Sequence, residues 1–505
     1  MSKSRKALPA RTAPECGRRL RAWACVAALG LMAAGCAVGP DFKRPAAPDV
    51  AGYVPAPVTA TVATPGVVGG QAQRFVEGAE IPADWWTLFH SRQLNDLIEQ
   101  ALANNHDLKA AEAALTVAHE GVLAQRGAYF PTVTAGVSAV RQRTSAAQGP
   151  SSTFSLITPQ VSVAYAPDVF GLNRRTVEAA QAQEDATRYQ LAAAHLTLTS
   201  NVAAAAIQQA SLETQIDATR ELIAIDTKAV EILKYQVAKG YASRVDLAAQ
   251  EAQLAQVAAT LPDLIKQSAQ QSHLLAVLTG RFPSQAPEER FDLSSLTLPT
   301  DLPLSLPSTL VAQRPDILQA EANMHAASAG IGIAEANRLP NITLTGDAGT
   351  MGLSLAKTFG AGAGFWDLGA AVTAPIFDGG ALKHKERGAK AAYVQASEQY
   401  RSAVLTGFQN VADTLTALDQ DAQALKANAA SAEAAKVSLD LSQQQYKDGY
   451  ASYLSVLTAQ QTYQQARIAL VQAQANRYAD TAALFQALGG GWWSRTDLIR
   501  NADAR

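Results

Sequence analysis

The chain has 505 residues, with 42 Lys+Arg against 44 Asp+Glu, a formal net charge of −2, and 48% hydrophobic but only 17% charged residues. That balance excludes a disordered polyelectrolyte and offers no basic face of the kind a nucleic-acid partner requires. The three Cys include no CxxC pair, so neither a disulfide framework nor a zinc site is expected. After the first 40 positions no window of about 20 apolar residues occurs, and a bundle of membrane-spanning helices is not expected either.

The chain opens on a basic stretch holding Lys3, Arg5, Lys6, Arg11, Arg18, Arg19 and Arg21. A short apolar, small-residue run from Ala22 to Ala34 follows. That order describes a secretory leader over residues 1–35, too short to be a transmembrane anchor. Ala33-Ala34-Gly35-Cys36 resembles the bacterial lipobox, with Ala33 where Leu is usual. The resemblance implies that Cys36 becomes the mature N-terminus and carries diacylglyceryl and N-acyl lipid, with no other cofactor. Ala37, not Asp, follows the Cys, which in that class implies export to the outer membrane. Residues 1–35 hold seven basic residues and one acid, Glu15, so the mature chain carries −8. Cys16 and Cys25 leave with the leader, and no free thiol remains.

Self-similarity sets the organisation. Gly240-Tyr241-Ala242-Ser243 recurs as Gly449-Tyr450-Ala451-Ser452, an offset of 209. At the same offset, Tyr129 to Thr134 faces Arg338 to Thr343, and Leu247, Leu254, Leu261 and Leu275 face Val456, Tyr463, Leu470 and Leu484. The chain therefore reads as two copies of one unit. A lipidated coil over 36–80 precedes a first repeat over 81–280. A Pro-rich connector over 281–313, a second repeat over 314–491 and a tail over 492–505 follow.

Each repeat reads as a helix (about Leu94 to Ala128, and about Asp316 to Arg338), two strands, a very long helix and a return helix. Pro131 and Pro340 end the first helix of each, because Pro disfavours helix at the preceding residue. The long helices run about Asn173 to Ala238 and about Leu382 to Lys447. About 65 residues at 1.5 Å each would reach on the order of 100 Å. Gly240 and Gly449 end them, as suits a positive-φ helix C-terminus. Return helices follow, about Arg244 to Leu278 and about Tyr453 to Leu488, with a kink expected at Pro262. Ile216, Ile223, Val230 and Val237 lie seven apart, the spacing of a coiled-coil seam. Thr219 and Asp226 sit near that seam, so it is not a uniform zipper.

Four runs alternate with period two, at about 132–143, 154–166, 341–350 and 365–377, and period two marks a sheet with two unlike faces. Such runs of about ten residues suit transmembrane barrel strands; a soluble hairpin capping each bundle would read the same way. Four strands cannot close a barrel, and lipid tolerates no open edge. Two chains would supply eight strands and three would supply twelve. Because eight-stranded barrels are filled by side chains, conduction favours three.

Several motifs resemble the outer membrane factor family of tripartite efflux systems, in particular its lipoprotein branch of nodulation-T and OprM-like proteins, relatives of TolC. Trp85-Trp86 with Phe89, Leu94, Leu97, Ile98, Asn105 and Leu108 resembles the family's start. Arg314-Pro315-Asp316-Ile317 resembles the start of the second repeat, and Ala374 to Gly380 the strand-to-helix turn. The resemblance covers Cys36 to Trp492. It implies a mainly helical fold with a membrane β part: a homotrimer whose twelve-stranded outer-membrane barrel continues into a twelve-helix periplasmic tunnel. It also implies a periplasmic adaptor and an RND-type inner-membrane pump as partners, and small toxic molecules as cargo. Strand-to-helix turns fall at Pro167, Phe170 and Gly171, and at Pro375, Asp378 and Gly379. The reversals at Gly240-Tyr241 and Gly449-Tyr450 become the periplasmic tips, where the adaptor docks.

The family often narrows those tips with rings of Asp. The matching positions here are Ser455 and Thr458, a departure, while the repeat-one equivalent of Ser455 is Asp246. Arg244, Asp246, Tyr446, Asp448, Ser455 and Thr458 are therefore the expected constriction and latch. For Asp246 and Asp448, solvated loop or helix-start charges are the competing reading.

No other chemistry emerges. The seven His form no HExxH or paired-ligand spacing, and Gly360 to Gly364 lacks the Lys-Ser/Thr of a phosphate loop. No nucleophile–base arrangement suggests an enzyme. The alternatives to an efflux duct are a non-conducting coiled-coil lipoprotein of the periplasm and the duct of a type I secretion system.

Overall fold

The computed structural model describes residues 37–56, 58–145, 147, 151–286 and 291–495. Cys36 and the leader lie outside the described residues, as do the last ten positions. The chain divides into two compact units, one of Met1–Lys43, His119–Ala182 and His325–Gln395, the other of Arg44–Ala118, Gln183–Met324 and Ala396–Arg505.

The first unit holds a four-stranded antiparallel sheet. Its strands are β2 (Thr132–Arg143), β3 (Thr153–Tyr165), β5 (Asn341–Thr350) and β6 (Gly364–Thr373), in the order β2-β3-β5-β6. The helix α7 (Leu355–Thr358) lies between β5 and β6. Register gives the sheet two unlike faces. Val161 pairs with Ala135 and Ala348, Val163 with Val133 and Gly346, and Ala348 with Trp366. This face is apolar. On the other face Thr134, Ser162, Asp347 and Asp367 stand in one row across all four strands. Ser162 Oγ donates to Asp347, and Gln160 Nε2 donates to the same oxygen at 3.4 Å. The fourth strand stops at Thr373, short of the 377 read from alternation. Pro375 has no N–H for the ladder.

The second unit is built on helices. α1 (Arg92–Asn104) and α2 (His106–Arg126) replace the single helix expected from Leu94. Asn105 separates them. Its Oδ1 accepts from Leu108 N at 2.9 Å, capping α2, and its Nδ2 donates to Leu278 O at 3.1 Å. Leu278 is the last residue of α4 (Arg244–Leu278). The second repeat reproduces this tie 209 residues on. Arg314 lies between α5 (Pro307–Gln313) and α6 (Pro315–Ala336), and its Nη1 donates at 2.6 Å to O of Ala487, the last residue of α9 (Tyr453–Ala487). Its guanidinium also forks onto Asp316, at 3.0 and 2.7 Å. The Arg-Pro-Asp motif is thus a buried C-cap, satisfying a helix-end carbonyl that has no partner in its own helix.

The two long helices are α3 (Leu172–Ala238) and α8 (Ala381–Lys447), 67 residues each. α4 continues through Pro262 as one helix. The core gathers Trp85, Phe89, Ile98, Val202, Ile207, Leu275, Val411, Leu418 and Phe485, with Trp85 stacked on Phe485 at 5.2 Å. The 36–80 stretch, expected as coil, includes β1 (Arg74–Glu77). It pairs in parallel with β4 (Asp301–Leu304) of the inter-repeat connector. Gln73 fastens this strap, donating to Pro299 O at 3.1 Å and Thr481 Oγ1 at 2.9 Å.

Candidate functional site

The two helix reversals use one hydrogen-bond pattern. Gly240 N–H donates to Val237 O at 3.1 Å and Tyr241 N–H to Gln236 O at 2.8 Å; Gly449 and Tyr450 repeat this onto Tyr446 and Gln445, at 3.1 and 2.8 Å. The glycines hold φ of +76° and +80°, which closes the last turn and costs a residue with a Cβ dearly. The turns expose Tyr241 (81%) and Tyr450 (88%), followed by Val245 (76%) and Leu454 (67%). Each pair is related by the 209 offset.

The repeats then diverge. Ser243 caps α4, accepting from Val245 N at 2.9 Å and Asp246 N at 3.2 Å. Its counterpart Ser452 pairs instead with the Ser455 hydroxyl at 3.1 Å. The expected constriction residues do not form one cluster within the chain. Arg244, Asp448, Ser455 and Thr458 are exposed, and Asp448, one residue past the end of α8, accepts from Gln444 of that helix at 2.9 and 3.0 Å. Tyr446 packs edge-on against Tyr453 at 5.1 Å. Burial, and then the negative charge of Asp246, push the Tyr446 phenol above its ordinary range. Of the expected residues, Asp246 and Tyr446 are therefore the two brought close, and Tyr453, outside that set, joins them.

Just behind them lies a polar network that periodicity alone did not resolve. Asp226 on α3 is fully buried and accepts from Gln250 Nε2 of α4 at 3.1 Å and from Gln460 Nε2 of α9. Tyr453 Oη donates to Gln250 Oε1 at 2.5 Å. Asp226 Oδ2 has no partner. Burial pushes this carboxyl above the usual range, opposed by the two amide bonds. The sequence signal was the position of Thr219 and Asp226 near the heptad seam; the partner glutamines had none.

In the first unit, both strand-to-helix turns are capped by Asp. Asp378 accepts from Gly380 N at 2.8 Å and Leu382 N at 2.7 Å, and these bonds hold its carboxyl below the usual range. In the first repeat the cap is Asp168, absent from the expected set, accepting from Asn173 N and Arg174 N at 3.0 and 2.9 Å. Pro167 O accepts from Val169 N at 2.9 Å. Pro375 and Gly379 flank the second cap, while Ile376 and Phe377 stand 99% and 92% exposed. Phe170 and Gly171 meet the amino-terminal segment. Among the described residues no group of His, Cys, Asp and Glu could hold a metal.

Paired long helices, sharp glycine tips and a two-faced antiparallel sheet define a channel of the outer-membrane class. The family model described as outer membrane efflux protein matches residues 97–281 and 306–490, two stretches themselves 209 apart. The probable efflux pump outer membrane protein SepC of Pseudomonas putida is 30% identical over 474 residues, covering 92% of this chain and 96% of that protein. Pyoverdine export outer membrane protein OpmQ of Pseudomonas aeruginosa is 31% identical over 464 residues, covering 89% and 96%. The solved outer-membrane channel OprN matches with a TM-score of 0.81 and 25% identity, over 90% of this chain and all of that one. The chain belongs to the outer membrane efflux protein family. It is the outer-membrane exit duct of a tripartite efflux system, with a β-barrel in the membrane and a helical tunnel in the periplasm, and it is not an enzyme.

Proposed function

We propose that three copies close a twelve-stranded barrel and that the duct passively conducts small toxic molecules delivered by a periplasmic adaptor and an RND-type inner-membrane pump. The observation that carries this reading is the four-stranded sheet. Among the described residues β2 and β6 have no neighbour on their outer sides, and an open edge is not tolerated in lipid. Three sheets give twelve strands and room for a lumen, whereas eight are filled by side chains. The apolar face meets lipid, and the row of Thr134, Ser162, Asp347 and Asp367 lines the lumen. Residues 1–35 act as leader and Cys36 carries the lipid.

In this reading the Gly240-Tyr241 and Gly449-Tyr450 turns meet the adaptor, and the Tyr241 and Tyr450 rings are the natural contacts. Arg244, Asp246, Tyr446, Asp448, Ser455 and Thr458 ring the pore once a threefold axis repeats them, and rings of like charge select ions. Relatives are named for toluene, pyoverdine and antibiotic efflux; cargo selection falls to the pump. The test is deletion with a drug-susceptibility panel, coupled to crosslinking from the two tip turns. Unchanged susceptibility together with no adaptor crosslink sinks the proposal. Asp246→Ala in planar bilayers tests the ring, and unchanged current and selectivity count against it.

A further inference from the structure

The amino-terminal segment sits in a built socket. Arg175, near the start of α3, is only 4% exposed. Its Nε donates to Val38 O at 3.1 Å and its Nη2 to Gly39 O at 3.2 Å and Asp41 Oδ1 at 2.8 Å. Nη1 donates to Glu178 Oε2 at 2.7 Å, and the other oxygen of Glu178 meets His325 Nε2 at 3.0 Å. His325 in turn stacks on Phe42 at 4.4 Å. Val38 N–H donates to Phe170 O at 3.1 Å.

Glycines make the room. A Cβ on Gly171 would stand 2.5 Å from the Ala37 Cβ, and one on Gly332 would meet Arg175 Cγ at 2.8 Å and Val38 O at 2.9 Å. Gly39 itself holds φ +92° against Gly332. A buried guanidinium that spends its fork on two successive carbonyls and an Asp recognises a backbone conformation, which a lysine cannot do.

The socket lies at one end of the sheet. Thr132 pairs with Ala164, Tyr165 with Leu344 and Asn341 with Thr373, so these strand ends share one edge of the sheet, staggered, with β5 and β6 running on beyond β2 and β3. Phe130, Ile376 and Phe377, immediately beyond them, are 69%, 99% and 92% exposed. Ala37 is held against Gly171, in the turn that follows the end of β3, and is one peptide bond from Cys36.

We propose that Arg175 forms a docking socket for the processed segment Ala37–Asp41, and that the socket delivers the acyl chains of Cys36 to the lipid surface that meets the exposed Phe130, Ile376 and Phe377. The lipid part rests on the lipoprotein reading of Cys36. The socket, not the acyl chains, sets where the anchor sits. An anchor placed there enters the leaflet beside the turns where strands become helices, so it tethers the chain with the barrel end already facing the membrane.

The test uses the full-length protein purified from outer membranes. Hydrogen exchange reads the Val38 amide, and a spin label on Lys43→Cys, the one free thiol of the mature chain, reads segment mobility. Arg175→Ala and Gly332→Ala, which evict the segment by different means, are each expected to speed Val38 exchange by about tenfold or more and to mobilise the label, with the acyl mass on the N-terminal peptide unchanged. Should one variant fail to fold, the other decides. Cys36→Ser is expected to keep Val38 protected. The proposal is overturned if both measures stay at wild-type values in the folded variants, or if Cys36→Ser alone releases the segment. An unacylated Cys36 in wild type with a docked segment would remove the lipid reading and leave the socket standing.

Discussion

Gln460 donates its side-chain amide to the buried carboxylate of Asp226, across 234 residues and from the second repeat to the first. Gln250 donates to the same oxygen, so a single carboxylate ties α3, α4 and α9 behind the tip. Replacing Gln460 with Leu would leave a buried anionic acceptor short of a donor. Such a loss costs about 1–3 kcal/mol, more when the group is charged. We expect Gln460→Leu to lower the thermal midpoint and to raise the mean single-channel current. Tyr453→Phe, which removes only the donor to Gln250, should have the same direction and a smaller size. Closed-channel currents equal to wild type in Gln460→Leu would show that this tie does not restrain the tip.

The same carboxylate gives the tip a pH dependence. Burial raises the Asp226 carboxyl above its unfolded value, against the pull of Gln250 and Gln460. A group raised on folding contributes stability that is complete below its unfolded pKa and is lost as pH rises through the folded one. Stability from this site is therefore greatest in acid and falls as pH rises, although the two amide bonds by themselves favour the ionised carboxylate. Asp226→Asn, which cannot ionise, should flatten the dependence of tip opening on pH. A variant with the wild-type slope would assign the titration elsewhere.

The two faces of the sheet make opposite predictions for one substitution. Leu368 stands 79% exposed on the apolar face, and Ala371 on the polar face beside Thr343. An arginine facing lipid costs about 2–4 kcal/mol near the bilayer midplane. Leu368→Arg should cut the yield of heat-modifiable oligomer in lipid vesicles, and Ala371→Arg should not. Equal losses would mean that both faces are enclosed.

Much of this was legible because it is periodic. The 209 offset exposed the duplication, and alternation at Val133, Val163 and Trp366 separated the sheet's faces. Helix breaks were harder. Asn105 splits the first helix by capping α2 and also bonds Leu278, 173 residues away, and no local pattern carries that second tie. The β1–β4 strap and the Arg175 socket are long-range in the same way. At the tips the offset located the turns but not the partners. Asp246 and Tyr446 come close, whereas Asp448 spends its carboxylate on Gln444 of the preceding helix.

A second carboxyl sets a pH limit on the helical unit. Asp421 on α8 is raised to about 7, first by burial and then by Asp480 of α9, with Arg477 opposing. Arg477 cannot fully compensate, because its guanidinium, fully buried, is turned to backbone carbonyls, Leu418 O at 3.3 Å and Gln71 O at 2.9 Å. Below its unfolded pKa Asp421 is neutral in both states. Between that value and about 7, the unfolded chain releases the proton and the folded one keeps it, so stability falls as pH rises. Asp421→Asn should remove this fall, and Asp480→Asn should reduce it by deleting the repelling neighbour. Thermal midpoints at about pH 5 and about pH 8 decide the matter. The wild-type midpoint should fall over that interval and that of Asp421→Asn should fall much less. Equal losses in the two proteins would move the titration away from the Asp421–Asp480 pair.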